Sequence, residues 1–172
     1  IPIIDYCHPT DGGVIKKSMK ISSQTDAEIE ILNKHIASEP NVVVHDMTKS
    51  KKSLKKQKFK DIRKINVGIS KKDIISIKKK VKKCFYNCFA LIMRIKYNDV
   101  YKEVHVKVFN TGKLEIPGIQ TTELLTITLN KLLLLLNAIK GDDKEIFDYD
   151  RARIETVLIN SNFNCGFYIN RT

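Results

Sequence analysis

The stretch from Cys84 to Gly118, CFYNCFALIMRIKYNDVYKEVHVKVFNTGKLEIPG, decides the fold. Its apolar and aromatic residues come in short runs broken by Asn98-Asp99 and by Asn110-Thr111-Gly112. That is the punctuation of consecutive antiparallel strands joined by tight turns, so the stretch reads as a three-stranded meander. Between Tyr101 and Phe109, Val104, Val106 and Val108 alternate with Glu103, His105 and Lys107. A period of two puts the valines on a core and the other set on solvent or a ligand. Function is expected on that second face.

Outward from the meander, Gln120 to Lys140 is the clearest helix. Thr121 can cap it, Glu123 sits in its first turn and Gly141 follows as a stop. Leu124, Leu125, Ile127, Leu129, Leu132 to Leu136 and Ile139 make it apolar almost all round. It should lie across one face of the sheet with apolar surface to spare. Upstream, Ile1 to Cys7 is an apolar lead and Pro9 to Gly13 a loop, followed by a strand from Val14 to Ile21. A helix over Asp26 to Ala37 comes next, with Thr25 as cap and Asp26 and Glu28 at the positive end of its dipole. Asn41 to His45 reads as another short strand. Ser70 to Lys83 has two readings: a helix opened by a Ser70/Asp73 capping box, or a strand alternating at Ile75, Ile77, Lys79 and Val81.

With 172 residues and 42% hydrophobic composition, the chain can bury one real core, as one domain or one domain plus a tail. Its net charge of +12 is concentrated. Lys49 to Lys83 holds sixteen Lys or Arg against two Asp, a net +14, so the remainder is slightly acidic. Such a segment is either an arm that neutralises phosphates or a solvated insertion written by AAA-rich codons. Cys7, Cys84, Cys88 and Cys165 read as reduced thiols of an intracellular protein, because Cys84 and Cys88 in a strand stand about 13 Å apart, too far for one metal ion. No secretory signal and no membrane span are read, the longest apolar run being Leu132 to Leu136. His8, His35, His45 and His105 are scattered and no nucleophile, metal or phosphate-loop motif occurs, so an enzyme is not expected and neither is a cofactor.

Phe109-Asn110-Thr111-Gly112-Lys113-Leu114-Glu115-Ile116-Pro117-Gly118 resembles the F-x-S-G-K-x-x-x-T-G hairpin of the TATA-box-binding protein family. Ile92-Met93-Arg94-Ile95 is similar to that family's I-M-R-I strand, and Ile159 to Arg171, INSNFNCGFYINR, resembles the opening of its second repeat in the divergent members from large nucleocytoplasmic DNA viruses. The likeness covers roughly residues 84 to 172. A rival register takes Ile65-Asn66-Val67-Gly68 as the family's V-N-L-G first strand.

The resemblance implies an α+β fold, a curved antiparallel sheet with helices on its convex face, comprising about one repeat plus the first strand of a second. Residues 13–141 would be the first repeat with a basic insertion at 49–83, and 142–172 an acidic link and the opening strand Val157 to Tyr168, lying beside the first repeat's opening strand. The start at Ile1 and the closing strand pattern suggest a piece of a longer protein, or a dimer that supplies the missing half.

The family lays its saddle on the minor groove and wedges phenylalanines between base steps. Carried over, this implies Phe109 and Phe89 as wedges, the exact counterpart of the second being Cys88. Arg94 and Lys113 would serve phosphates, Ile92 and Thr111 the groove, and Asn160 the base edges. Glu115 departs from the pattern, as a carboxylate facing phosphates. The implied function is a viral general transcription factor on AT-rich double-stranded DNA, recruiting other initiation factors, in the host nucleus or a cytoplasmic viral factory or carried in the virion. The other reading is a protein-interaction scaffold of the same machinery with weak, non-specific nucleic-acid binding.

Overall fold

A computed structural model of the chain describes residues 1–48, 59–76, 86–140, 147–160 and 166–167. The elements run β1 (Gly13–Ser23), α1 (Asp26–Ser38), β2 (Val42–Asp46), β3 (Asp61–Gly68), α2 (Lys71–Ile75), β4 (Cys88–Tyr97), β5 (Val100–Phe109), β6 (Leu114–Glu115) and α3 (Thr122–Lys140), then a 3₁₀ turn at Arg151–Arg153. The fold is α+β, with one open, curved, antiparallel sheet of six strands in the order β2-β3-β1-β4-β5-β6.

The meander forms as its sequence requires. Asn98 and Asp99 both take positive φ, 49° and 56°, and Tyr97 pairs with Val100 around them. Such a two-residue turn matches the twist of the strands it joins, and Asn and Asp tolerate the left-handed region better than other side chains. α1 begins on a capping box: Glu28 N–H donates to Thr25 Oγ1 at 3.2 Å and Thr25 N–H to Glu28 Oε2 at 3.1 Å. The Gln24 N–H is first among the donors that hold the Glu28 carboxyl below its usual range. α3 is capped by Thr121, whose Oγ1 accepts from Leu124 N–H at 3.3 Å.

Both long helices pack on the same face. One cluster joins Leu32 of α1 to Ile65 and Val67 of β3. The other joins Leu124 and Leu132 of α3 to Val14, Leu91, Met93, Ile95, Val104 and Val106, and Ile3 of the N-terminal lead packs against both. Leu132 is fully enclosed, which contributes about 2 kcal/mol through burial. α3 has the length and composition of a membrane span over Thr122–Ile139, with mean hydropathy 1.4, which the short run Leu132 to Leu136 had concealed. In the fold, its Leu124, Thr128, Leu129 and Leu132 are turned inward.

Three expectations change. Segment 49–83 is not simply an insertion: residues 61–68 are β3, an internal strand between β2 and β1, and 71–75 are α2. Ile65 and Val67, at a period of two, are the buried positions of that strand, and Lys64 and Asn66 between them are half-buried on the other face. The region Ser70 to Lys83 starts as the helix, with Ser70 N–H and Oγ both donating to Asp73 Oδ2, at 2.9 and 2.6 Å. Residues 77–85, like 49–58, lie outside the described residues. Finally, residues 157–160 form no strand: Val157, Leu158 and Ile159 are 80–87% exposed. The place expected for them beside β1 is filled, since β1 pairs with β3 on one edge and β4 on the other.

Gly68 fixes the crossover from β3 to β4. Its φ is +84°, and a Cβ there would stand 2.2 Å from the Ile15 carbonyl oxygen. Only glycine lets the backbones approach this closely at the bulge between Val14 and Lys16, from which Ile69 N–H donates to Ile15 O at 3.2 Å.

Candidate nucleic-acid interface

Strand register places the side chains of the face opposite α1 and α3 in rows. One row crosses all six strands: Val43, Asn66, Ser18, Ala90, Lys107 and Glu115. The next, toward the start of β4, has His45, Lys64 and Lys20 on β2, β3 and β1, and Cys88 facing Phe109 on β4 and β5. Toward the other end come Lys16, Ile92 and His105, then Gly13, Arg94 and Glu103.

The Arg94 end of this open face is roofed. Arg94 is 5% exposed, and its Nη2 donates to Tyr6 O at 2.9 Å while Nη1 donates to the carbonyls of His8 and Asp11. Its guanidinium lies 5.1 Å from the Tyr6 ring centroid, and Tyr101 Oη donates to Thr10 O. α2 covers the adjoining ground. Lys16 Nζ reaches Asp73 Oδ1 and Oδ2 at 2.7 Å, and Lys71 N–H donates to Glu103 Oε1 at 2.9 Å. Burial disfavours the charge on Asp73, yet the hydrogen bonds from Lys16 and from the Ser70 hydroxyl and N–H outweigh it and hold the carboxyl below its usual range.

At the other end Lys20, Lys64, Cys88 and Phe109 are half-buried, and residues 49–58 and 77–85, which adjoin this end in the chain, lie outside the described residues. Lys20 Nζ stands 5.9 Å from the centroid of Tyr86, a ring 79% exposed. Ser18 Oγ donates to Asn66 Oδ1 at 2.7 Å, so the Asn66 side chain takes part in this bond through its oxygen. Glu115, the carboxylate that phosphates would repel, is paired with Lys107 at 2.6 Å.

The structure sorts the candidate residues accordingly. Phe109 and Ile92 stand on the open face, and Thr111 and Lys113 are exposed in the turn beyond Phe109, where Phe109 N–H donates to Lys113 O at 2.9 Å. Phe89 does not join them. The β4–β5 register runs unbroken from Cys88 to Tyr97, so Phe89 falls on the covered face and packs with the α3 cluster. Arg94 is on the open face, but it is 5% exposed and three of its N–H donors are held by loop carbonyls. Asn160 is exposed in the segment without a strand and is not brought to the sheet.

Sequence reasoning missed Lys20, Lys64, Ser18, Asn66 and Tyr86. The alternation of Lys16, Ser18 and Lys20 in β1, and the Ile65-Asn66-Val67-Gly68 match, were the signals for three of them, Ser18, Lys20 and Asn66. Among the described residues no three His, Cys, Asp or Glu side chains are grouped to hold a metal ion. No family model, no curated protein and no solved structure matches the chain.

Proposed function

We propose that this chain is a scaffold resembling the TATA-box-binding protein family, serving a viral transcription machinery and holding nucleic acid by charge rather than by reading a sequence. The observation that carries the reading is the one-sided placement of α1 and α3. It leaves an open face on which Lys20, Lys64, Asn66, Ser18 and Phe109 fall in two adjacent rows. The starts of β3 and β4 lie at the same end of the sheet as these rows. Lysines on an apolar-poor surface attract phosphates through counterion release, without base discrimination. The order of strand, helix, strands and helix supports the family likeness.

A second reading, wedging into the minor groove of AT-rich promoter DNA, is favoured by Phe109 on the open face above Thr111 and Lys113. It lacks the second wedge, the phosphate contact from Arg94 and the base contact from Asn160. Bandshifts on AT-rich and GC-rich duplexes over a salt series separate the two. The scaffold reading predicts affinities within about threefold of each other, falling steeply with salt. A preference for AT-rich DNA above about tenfold would transfer the conclusion to promoter recognition, and no binding to either duplex or to single strands at low salt would end both.

A further inference from the structure

We infer that the outer edge of β5 from Tyr101 to Glu103 is a docking site for an extended peptide of a partner protein, which adds a strand to the sheet in line with β6. The inference concerns a protein ligand and does not rest on the nucleic-acid reading.

The sequence leaves this edge vacant. Phe109 N–H donates to Lys113 O and Asn110 N–H to Asn87 O, so the odd-numbered residues of β5 turn their N–H and C=O groups outward while the even-numbered ones face β4. β6 pairs only with Lys107 and Val108. Two residues after Glu115, Pro117 falls opposite His105, where the ladder next calls for an N–H that proline lacks, and β6 stops. Among the described residues, no backbone hydrogen bond takes up the outward N–H and C=O of Tyr101 and Glu103.

A cavity of about 560 Å³ lies along that edge, and all of its lining residues are described. Tyr101, Lys102, Glu103 and Val104 all line it. Consecutive residues whose side chains alternate between faces share one cavity only where it runs along the rim of the strand. Val104 and Leu124, both buried, give it apolar ground, and Pro117, Gly118 and Gln120 of the link to α3 complete that side.

Charge selects the occupant. In an antiparallel strand added here, the residues opposite Tyr101 and Glu103 make the hydrogen-bonded pairs, and residues directly opposite share a face of the sheet. From the N-terminus of the peptide, a basic residue then stands opposite Glu103, an acidic residue opposite Lys102 and an apolar residue opposite Tyr101. Glu103 accepts from Lys71 N–H through Oε1, which leaves Oε2 for the basic residue. A second copy of this chain fits worse. The two antiparallel registers by which β5 could pair with itself through both Tyr101 and Glu103 set the two Lys102 side chains, or the two Glu103 side chains, directly opposite each other.

Fluorescence anisotropy of labelled heptapeptides titrated with the full chain tests this. The parent peptide, Thr-Thr-Lys-Glu-Val-Thr-Thr, carries the deduced order of charges. Exchanging its Lys and Glu should weaken binding about fivefold, because two attractive cross-strand pairs become repulsive. A methyl group on the amide nitrogen of its Lys, the donor to Glu103 O, should weaken binding about tenfold, and a methyl group on the amide nitrogen of its Glu, which faces away from β5, should leave it unchanged. Equal effects of the two methyl groups, indifference to the charge exchange, or no saturable binding of the parent peptide would overturn the docking site and leave the nucleic-acid reading untouched. Peptide binding that fades as the chain concentration rises, with dimers seen by light scattering, would overturn the choice of a partner protein in favour of a second copy.

Discussion

The two ends of the open face carry the same kind of alternating strand and put it to opposite uses. At one end, Arg94 and Lys16 stand on the open side of β4 and β1 and are consumed by the chain itself, one by three carbonyls of the loop at residues 6–11, the other by Asp73. At the other end Lys20, two residues along the same strand as Ser18, meets only the ring of Tyr86 among its described contacts. Alternation thus tells which side of a sheet a basic residue occupies, whereas its availability is settled by whichever distant loop comes to lie on it.

Arg94→Ala should break the roofed end with the largest effect. Three loop carbonyls lose charge-assisted donors from a buried arginine, and the loss of stability should be about 2 kcal/mol in a urea titration. Nucleic-acid affinity of the folded variant should be unchanged, because the guanidinium does not reach the ligand. Unchanged stability together with weakened binding would mean that Arg94 serves phosphates after all.

Asp73→Asn should loosen α2 with a smaller effect. The carboxylate is 41% exposed, so water screens its pairing with Lys16 and the cost at neutral pH should be about 1 kcal/mol. Its folded pKa is depressed below the ordinary 3.8, so the stabilisation is complete above that value and disappears as pH falls through the lower folded pKa. Melts of the wild type and the variant should therefore converge only below pH 3.8. A difference that persists or grows at low pH would mean that charge is not what fastens α2.

Much of the frame was legible from local signals. The turn at Asn98-Asp99, the cap at Thr25, the cap at Thr121 and the period of two in β5 each specify structure over a few residues, and each appears in place. What could not be read depends on distant pairing. β3 was read only as the rival match at Ile65-Asn66-Val67-Gly68, because two apolar residues at a period of two inside a basic segment also read as a solvated insertion. That β1 lies between β3 and β4 is a matter of crossovers, and period two names a face without naming a neighbour.

The candidate site was less legible than the fold. Phe109 was placed by its hairpin. Phe89 hung on whether a bulge shifted β4, and the regular register decided against it. The fate of Arg94 hung on carbonyls 83 to 88 residues away. The β-branched run at Val157 reads as a strand by composition, but strand propensity describes fit to a pleated, half-buried surface, and no such surface receives it among the described residues.

The most direct measurement is the salt dependence of duplex binding for the wild type, for Lys20→Gln and for Lys16→Gln. If the open face holds phosphates at its Lys20 end, Lys20→Gln should flatten the slope of log affinity against log salt by about 0.9, and Lys16→Gln, whose charge is already paired with Asp73, should leave it unchanged. An unaltered slope in Lys20→Gln, or an equal flattening from Lys16→Gln, would contradict the assignment of the binding surface to that end of the sheet.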